Sequence, residues 1–290
     1  MRHAALAALP VLLAFAACSE APAGEALVRV NLDGSQVEEA PAPTPTPSVP
    51  AVPSACRQVV FETIPLTHCI ADPAQHRIAM ANAATDRQPF GSLAAFAASV
   101  DAATIAFAMN GGMYGDDLKA IGYHVENGER LKELNRAEGE GNFFMKPNGV
   151  FFGSGAKWQV LGSNTFFNTV KDRPAFGTQS GPLLLVEGKL HPQIQDDGPS
   201  KAVRNGVGVD ASGKAHFVIS DAPVSFGQLA RYFRDEVKVA SALHLDGQVS
   251  SLWDPATGRM DKGRVGPIIV VTRREEAAPA TEPAAGATAQ

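Results

Sequence analysis

Apolar and polar positions alternate along the chain in short bursts, and most bursts stop at turn-forming residues. Ile121–Val125 and Arg130–Leu134 read as two strands joined through Asn127-Gly128, a dipeptide that accepts the positive φ of a tight hairpin. Ser212-Gly213 separates Val207–Val209 from Ala215–Ile219 in the same way. Glu187-Gly188 closes the apolar run Leu183–Val186, and Thr257-Gly258 lies between Leu252-Trp253 and a final strand, Ile268–Val271. Two segments carry the helical period instead. Phe90, Leu93, Phe96, Ala97 and Val100 recur at that spacing before a strand at Thr104–Met109. Ser225 with Gln228 forms a capping box, after which Phe226, Leu229, Phe233 and Val237 line one face and a strand, Ala242–Leu245, follows. Strand–helix–strand alternation occurs only twice, with hairpins elsewhere. The fold class is therefore α+β: a single domain with a mixed or antiparallel sheet, several hairpins and a few packing helices.

The two ends lack this patterning. Arg2 and His3 precede an apolar run, Ala4–Ala17, that is too short to span a bilayer alone and reads as an export signal. It ends Phe15-Ala16-Ala17-Cys18, which resembles a bacterial lipobox with Phe15 where Leu is usual. Ordinary secretory cleavage near Ala17, with Cys18 incidental, is the alternative. Ser19 rather than Asp after the cysteine favours the outer membrane in Gram-negative sorting. Residues 19–53 hold seven prolines and favour extended polyproline II, as a stalk would. The expected organisation is a signal peptide with lipobox at 1–18, a disordered stalk at 19–53, a folded domain at 54–274 and a disordered tail at 275–290. The expected location is exported and lipid-anchored at the outer membrane facing the periplasm, or otherwise periplasmic.

Composition changes the picture only by exclusion. The 290 residues are 45% hydrophobic and 19% charged, a globular balance, and the net charge of −5 with no Lys/Arg stripe argues against nucleic acid. Three cysteines without C-x-x-C spacing do not make a zinc site. Cys56 and Cys69 flank an apolar stretch, Val59-Val60-Phe61 and Ile64, that reads as two short strands. In an oxidising compartment a disulfide between them is favoured over two free buried thiols.

Five segments carry candidate chemistry, each where a strand meets a polar or glycine turn. Asn110-Gly111-Gly112 ends a buried strand, and its glycines would let backbone N–H groups face an anion; a plain tight turn is the alternative. Lys146 precedes the turn Pro147-Asn148-Gly149 within Asn142–Gly149, where it could meet an anion or simply be exposed. Gln179-Ser180-Gly181-Pro182 leads into a core strand. Arg204-Asn205-Gly206 opens another, and a buried arginine needs a structural carboxylate or a bound phosphate. Asp246-Gly247 ends an apolar strand and is followed by Ser250-Ser251. No nucleophile elbow, zinc-protease motif, phosphate loop or dinucleotide fingerprint is present. The histidines show no metal spacing; His124 reads as a satisfied core or surface residue, and His244 has no obvious partner.

Taken in order, these five segments resemble the bacterial branch of the phosphodiester glycosidase family, over about Cys56–Thr272. Asn205 stands where better-known members tend to have Thr, Gln248-Val249 interrupts their longer glycine run, and the Asn142–Gly149 block looks like a poorly characterised envelope branch. The resemblance implies an exported hydrolase that cleaves the glycosidic bond of a sugar 1-phosphodiester, small or polymer-linked. Such a leaving group departs as an anion, so stabilising its charge outweighs protonating it. Arg204, the Gly111 and Gly112 N–H groups and Lys146 would serve that end. Asp246 would act as base or stabilise the oxocarbenium-like transition state. Asn110 and Gln179 would orient sugar hydroxyls or an acetamido group, with Ser180, Asn205, Ser250 and Ser251 also at the substrate. Glu126, Asp116 and Asp221 are further carboxylates near turns. A divalent cation, Ca2+ or Mg2+, bridging Asp246 and phosphate stays open, without a dedicated cage of ligands. Two rival readings are a non-catalytic lipoprotein binding a glycan or envelope polymer, and an ester or amide hydrolase with Ser180 or Ser250 as nucleophile.

Overall fold

The computed structural model describes residues 52–83 and 88–274, all within one compact unit. The lipobox with Cys18, the stalk up to Ala51 and the tail from Glu275 lie outside the described residues. The chain opens with β1 (Cys56–Phe61), β2 (Ile64–Ala71) and β3 (His76–Ala81), then α1 (Leu93–Ala97) and β4 (Ile105–Asn110). Next come β5 (His124–Glu126), β6 (Glu129–Lys132), β7 (Gly149–Ser154), β8 (Lys157–Gly162), α2 (Ser163–Thr169) and β9 (Phe176–Ser180). There follow β10 (Leu183–Val186), β11 (Lys189–Leu190), β12 (Asn205–Val209), β13 (Ala215–Ser220) and α3 (Phe226–Arg231). The chain finishes with β14 (Ala242–His244), β15 (Leu252–Asp254), β16 (Arg259–Met260) and β17 (Ile268–Arg273).

The strands form three sheets, ordered β1-β2-β13-β12-β14-β10-β11, β16-β15-β4-β17-β3 and β6-β5-β9-β7-β8. Neighbouring strands in all three pair antiparallel. The expected α+β domain with hairpins is thus present, its antiparallel strands distributed over three sheets. The sheets meet in an aromatic seam. Phe217 of β13 packs edge-on against Phe107 of β4 at 5.3 Å and Phe151 of β7 at 5.6 Å, and Phe151 meets Phe176 of β9 at 5.3 Å. These four rings are 2% exposed or less, so the core couples the three sheets through large apolar surfaces.

Local chemistry explains the elements that the sequence foretold. Asn127 and Gly128 take φ of 48° and 78°, the two positive values of a tight hairpin turn. Ser225 Oγ accepts from the Gln228 N–H while Gln228 Oε1 accepts from the Ser225 N–H, completing the capping box of α3. β1 and β2 pair with Cys56 opposite Cys69, and the two cysteines are joined by a disulfide.

Other boundaries move. The helix expected from Phe90 to Val100 is only Leu93–Ala97, capped by Ser92, although Phe90 and Val100 still pack on the same apolar cluster. The strand expected from Ile121 begins at His124, because the N–H groups of Ile121 and Tyr123 are bonded to the Met113 carbonyl and the Gln179 side chain. α3 runs on as a wider turn, Tyr232–Val237, that Lys238 ends in the left-handed conformation.

Candidate functional site

The ends of β4, β12 and β14 converge with the segment before β15, bringing three of the five expected segments together through Asn110, Asn205 and the Asp246–Ser251 loop. Asn110 Oδ1 accepts from Asn205 Nδ2 at 2.8 Å and from the Ser251 N–H at 2.9 Å, while its Nδ2 donates to the Asp246 carbonyl at 3.0 Å. Asn205 Oδ1 in turn accepts from Ser250 Oγ at 3.2 Å. Asn110, Asn205 and Ser251 are 1% exposed or less. They form a polar knot that fixes the Asp246–Ser251 loop rather than a surface offered to a sugar.

Arg204 sits beside this knot, 4% exposed, at the start of β12. Its Nε donates to the Val224 carbonyl, and Nη2 donates to the Ser200 carbonyl and Oγ at 3.3 and 3.2 Å. The guanidinium stacks 3.7 Å over the Phe226 ring, a cation–π contact that is strong when desolvated. No described carboxylate pairs with it. Burial lowers its pKa from the usual arginine value, yet a guanidinium remains charged at any ordinary pH. Its Nη1 lies beside the loop: a Cβ placed on Gly247 would stand 3.6 Å from it.

His244 is the neighbour that the sequence left without a partner. Its ring is fully buried, Nδ1 is bonded to the Gly181 carbonyl at 3.1 Å, and Nε2 has no partner among the described residues. A carbonyl can only accept, so Nδ1 carries the hydrogen and Nε2 a lone pair. Desolvation, helped by Arg204, pushes its pKa down to about 3 against the Gly181 bond, keeping it neutral. A Cβ on Gly247 would lie 2.7 Å from that Nε2, so glycine is what lets the loop approach.

Asp246 is half-buried at the end of this strand, its N–H 3.4 Å from the Gly111 carbonyl. Tyr114 shares its surroundings. Burial first, and the Asp246 charge second, raise the Tyr114 pKa, while Arg264 lowers it. The Tyr114 hydroxyl donates to the Arg264 carbonyl at 2.6 Å. Sequence reasoning missed Ser200, Phe226, Tyr114 and Arg264 as neighbours, since nothing local marks them.

Several expected donors are engaged elsewhere. The Gly111 N–H donates to the Pro267 carbonyl and the Gly112 N–H to Thr178 Oγ1, so neither faces an anion. The glycines are needed for close packing: a Cβ at Gly112 would fall 2.1 Å from the Gln179 carbonyl oxygen. Gln179 has its own side chain filled, accepting from the Tyr123 and Asn135 N–H groups and donating to the Asn135 carbonyl and Ser163 Oγ. It ties β9 to two loops and has no group left for a sugar. Lys146 is held by Glu138 at 2.5 Å and the Arg136 carbonyl, and lines a separate cavity of about 200 Å3. Ser180 is fully buried with its hydroxyl unpartnered and no histidine bonded to it among the described residues, and Ser250 Oγ donates to Asn205 Oδ1 and the Gly247 carbonyl, so neither is set up as a nucleophile.

The other carboxylates are also placed. Asp221 binds Arg259 and Thr67, Asp116 is exposed with its carbonyl accepting from Arg264, and Glu126 pairs with His124 at 2.7 Å. That last pair lines a cavity of about 620 Å3 with Asn82, Asp117 and Lys119, whose lining includes neither Arg204 nor Asp246. Among the described residues no group of three or more His, Cys, Asp or Glu stands ready to hold a metal ion.

Comparison with known proteins places this geometry in context. The phosphodiester glycosidase family model matches residues 103–272. The uncharacterized protein YigE of Escherichia coli (strain K12) is 34% identical over 183 residues, covering 63% of this chain and 71% of that protein. The catalytic domain of zebrafish N-acetylglucosamine-1-phosphodiester alpha-N-acetylglucosaminidase, auto-inhibited by its pro-peptide, is similar in fold. It superposes with a TM-score of 0.52 at 12% identity, covering 76% of this chain and 82% of that one.

Proposed function

Because the chain belongs to the phosphodiester glycosidase family, we propose that it is an exported hydrolase cleaving the glycosidic bond of a sugar 1-phosphodiester, free or polymer-linked. The observation that carries the reading is Arg204: a buried guanidinium with no carboxylate partner among the described residues, its Nη1 beside the loop that bears Asp246. A buried cation of this kind is expensive unless a bound anion balances it, and the guanidinium fork matches phosphate oxygens.

The chemistry follows from the leaving group. A phosphodiester anion departs without strong protonation, so the main demand is a fixed positive charge where negative charge grows. Arg204 supplies it, preorganised by Phe226 and Ser200. Asp246 takes the anomeric side, accepting a proton from water or stabilising the oxocarbenium-like carbon. Asn110 acts through Asp246, holding its carbonyl, and is a positioning residue. Neutral His244 adds no second positive charge beside Arg204.

The test is sugar release by the full chain from a panel of N-acetylhexosamine and hexose 1-phosphodiesters, nucleotide sugars included, with and without chelator. Turnover abolished by both Arg204→Ala and Asp246→Asn, with the melt nearly unchanged, supports the reading. The chelator arm decides whether a divalent cation takes part. A second reading, a non-catalytic glycan-binding module, draws support from the internal engagement of Gly111, Gly112 and Gln179; saturable binding without cleavage would favour it. Lipid anchoring at Cys18 belongs to the same proposal, and metabolic labelling with a fatty acid, lost in Cys18→Ala, checks it.

A further inference from the structure

Away from Arg204, α2 and the β5–β6 hairpin with its following loop enclose a groove of about 490 Å3. Four cations line it, Arg130, Arg136, Lys171 and Arg173, against two acids, Glu133 and Asp172. Among the described residues only Arg130 of these four is paired with a carboxylate, Glu133 at 2.9 Å. Arg136 stacks 4.2 Å over the Phe167 ring and Arg173 reaches the Gly128 carbonyl at 3.4 Å, neither meeting a described carboxylate. Elsewhere in this acidic chain Arg231, Arg234 and Arg259 are each gripped by carboxylates. The floor is aromatic: the Tyr123 ring packs on Phe166 at 4.9 Å, and its hydroxyl bonds to no described residue. Phe167, 53% exposed, presents an apolar rim.

We propose that this groove binds an anionic glycan, with carboxylate or phosphate groups on Arg136, Arg173 and Lys171, a sugar hydroxyl on the Tyr123 phenol, and an apolar sugar face against Phe167. Charge complementarity argues for an anionic ligand, since guanidiniums without partners recognise carboxylates and phosphates bidentately. The aromatic surface argues for a sugar rather than a bare polyanion, because rings add stacking area where charge alone needs none. The inference does not depend on the hydrolase reading.

Binding of polygalacturonate to the full chain tests it, with inorganic polyphosphate and neutral dextran as comparison ligands. The expected result is saturable polygalacturonate binding that falls at least tenfold in Arg136→Glu/Arg173→Glu and severalfold in Phe167→Ala, with no dextran binding. Arg57→Ala should bind normally, because that exposed arginine lies on β1, outside the groove. The proposal is overturned if polygalacturonate does not saturate, if Phe167→Ala binds like the parent, or if Arg57→Ala loses as much binding as the groove variants. Polyphosphate binding as tight as polygalacturonate, insensitive to Phe167→Ala, would also overturn it by making the groove a general anion surface. Should the double variant fold poorly, Phe167→Ala carries the decision alone, its side chain being half-exposed.

Discussion

Two arginines, 204 and 259, sit in the same domain under opposite regimes. Arg259 Nη1 donates to Thr67 Oγ1 at 2.7 Å and Asp221 at 2.8 Å, and Nη2 donates to Asp261 at 2.9 Å. Burial would lower its pKa, but the two carboxylates raise it overall. Arg204 is more deeply buried, bonds only carbonyls and a hydroxyl among the described residues, and has its pKa lowered by burial. One guanidinium is balanced by the fold and the other is not. An arginine kept in the second state costs stability, and a ligand anion is what would compensate it.

Four substitutions or conditions sharpen or break this contrast, and the largest effect belongs to Arg204. Arg204→Lys should reduce turnover by about 10²–10³-fold, the size seen when one charge-stabilising donor is lost, while the melt stays close to the parent. An unfolded Arg204→Lys protein would make the two arginines alike and remove the contrast.

Acid comes next. His244 and His68 are both buried and held at about 3. A histidine depressed below its unfolded value favours the native state at pH above about 6.5. That contribution declines as pH falls from there toward the folded value, at roughly 1.4 kcal/mol per pH unit for each group. Urea midpoints between pH 7 and 4 should therefore fall steeply, and His244→Gln should lessen the slope by one proton. An unchanged slope would mean that His244 is not buried in its neutral form.

Arg259→Met should destabilise by about 1–3 kcal/mol, removing the cationic donor from Asp221 and Asp261 and leaving them Thr67 Oγ1 and the Leu252 N–H, yet keep full turnover in the folded fraction. Loss of turnover without loss of stability would move Arg259 into the site. The smallest effect is expected from Ser200→Ala, which removes one bond to Arg204 Nη2 and should cost about 0.5–1.5 kcal/mol, read as a severalfold drop in kcat with KM little changed.

What the sequence disclosed was whatever short-range chemistry dictates. The Asn127-Gly128 hairpin, the Ser225–Gln228 box and the Cys56–Cys69 pairing each depend on residues close in sequence or on a compartment argument, and each is present. The order of the five polar segments also marked the place where Asn110, Asn205 and Asp246 meet. Their occupancy was not legible. Whether the Gly112 N–H faces a ligand or Thr178 depends on a residue 66 positions away. Gln179 is filled by Tyr123 and Asn135 through loops whose path no local pattern fixes. The same holds for Phe226, which reaches Arg204 because the chain entering α3 runs beside it, the Val224 carbonyl accepting from Arg204 Nε. Type and position of a polar residue are local facts, while its remaining hydrogen-bonding capacity is a property of the whole fold.

The bridge between Cys56 and Cys69 has a mechanical corollary. The first rung of the β1–β2 ladder is the Cys56–Cys69 pair itself, and the five that follow, Arg57–His68 to Phe61–Ile64, lie inside the loop that the sulfurs close. Tension drawn through the chain ahead of Cys56 therefore crosses the sulfur–sulfur bond straight into β2, whose other flank is paired from Leu66 to Ala71 with β13. β1 is bypassed and cannot be unzipped from its end, so a tug on the leading segment must shear an interior strand. With the bond reduced, the same tug would peel β1 away one rung at a time.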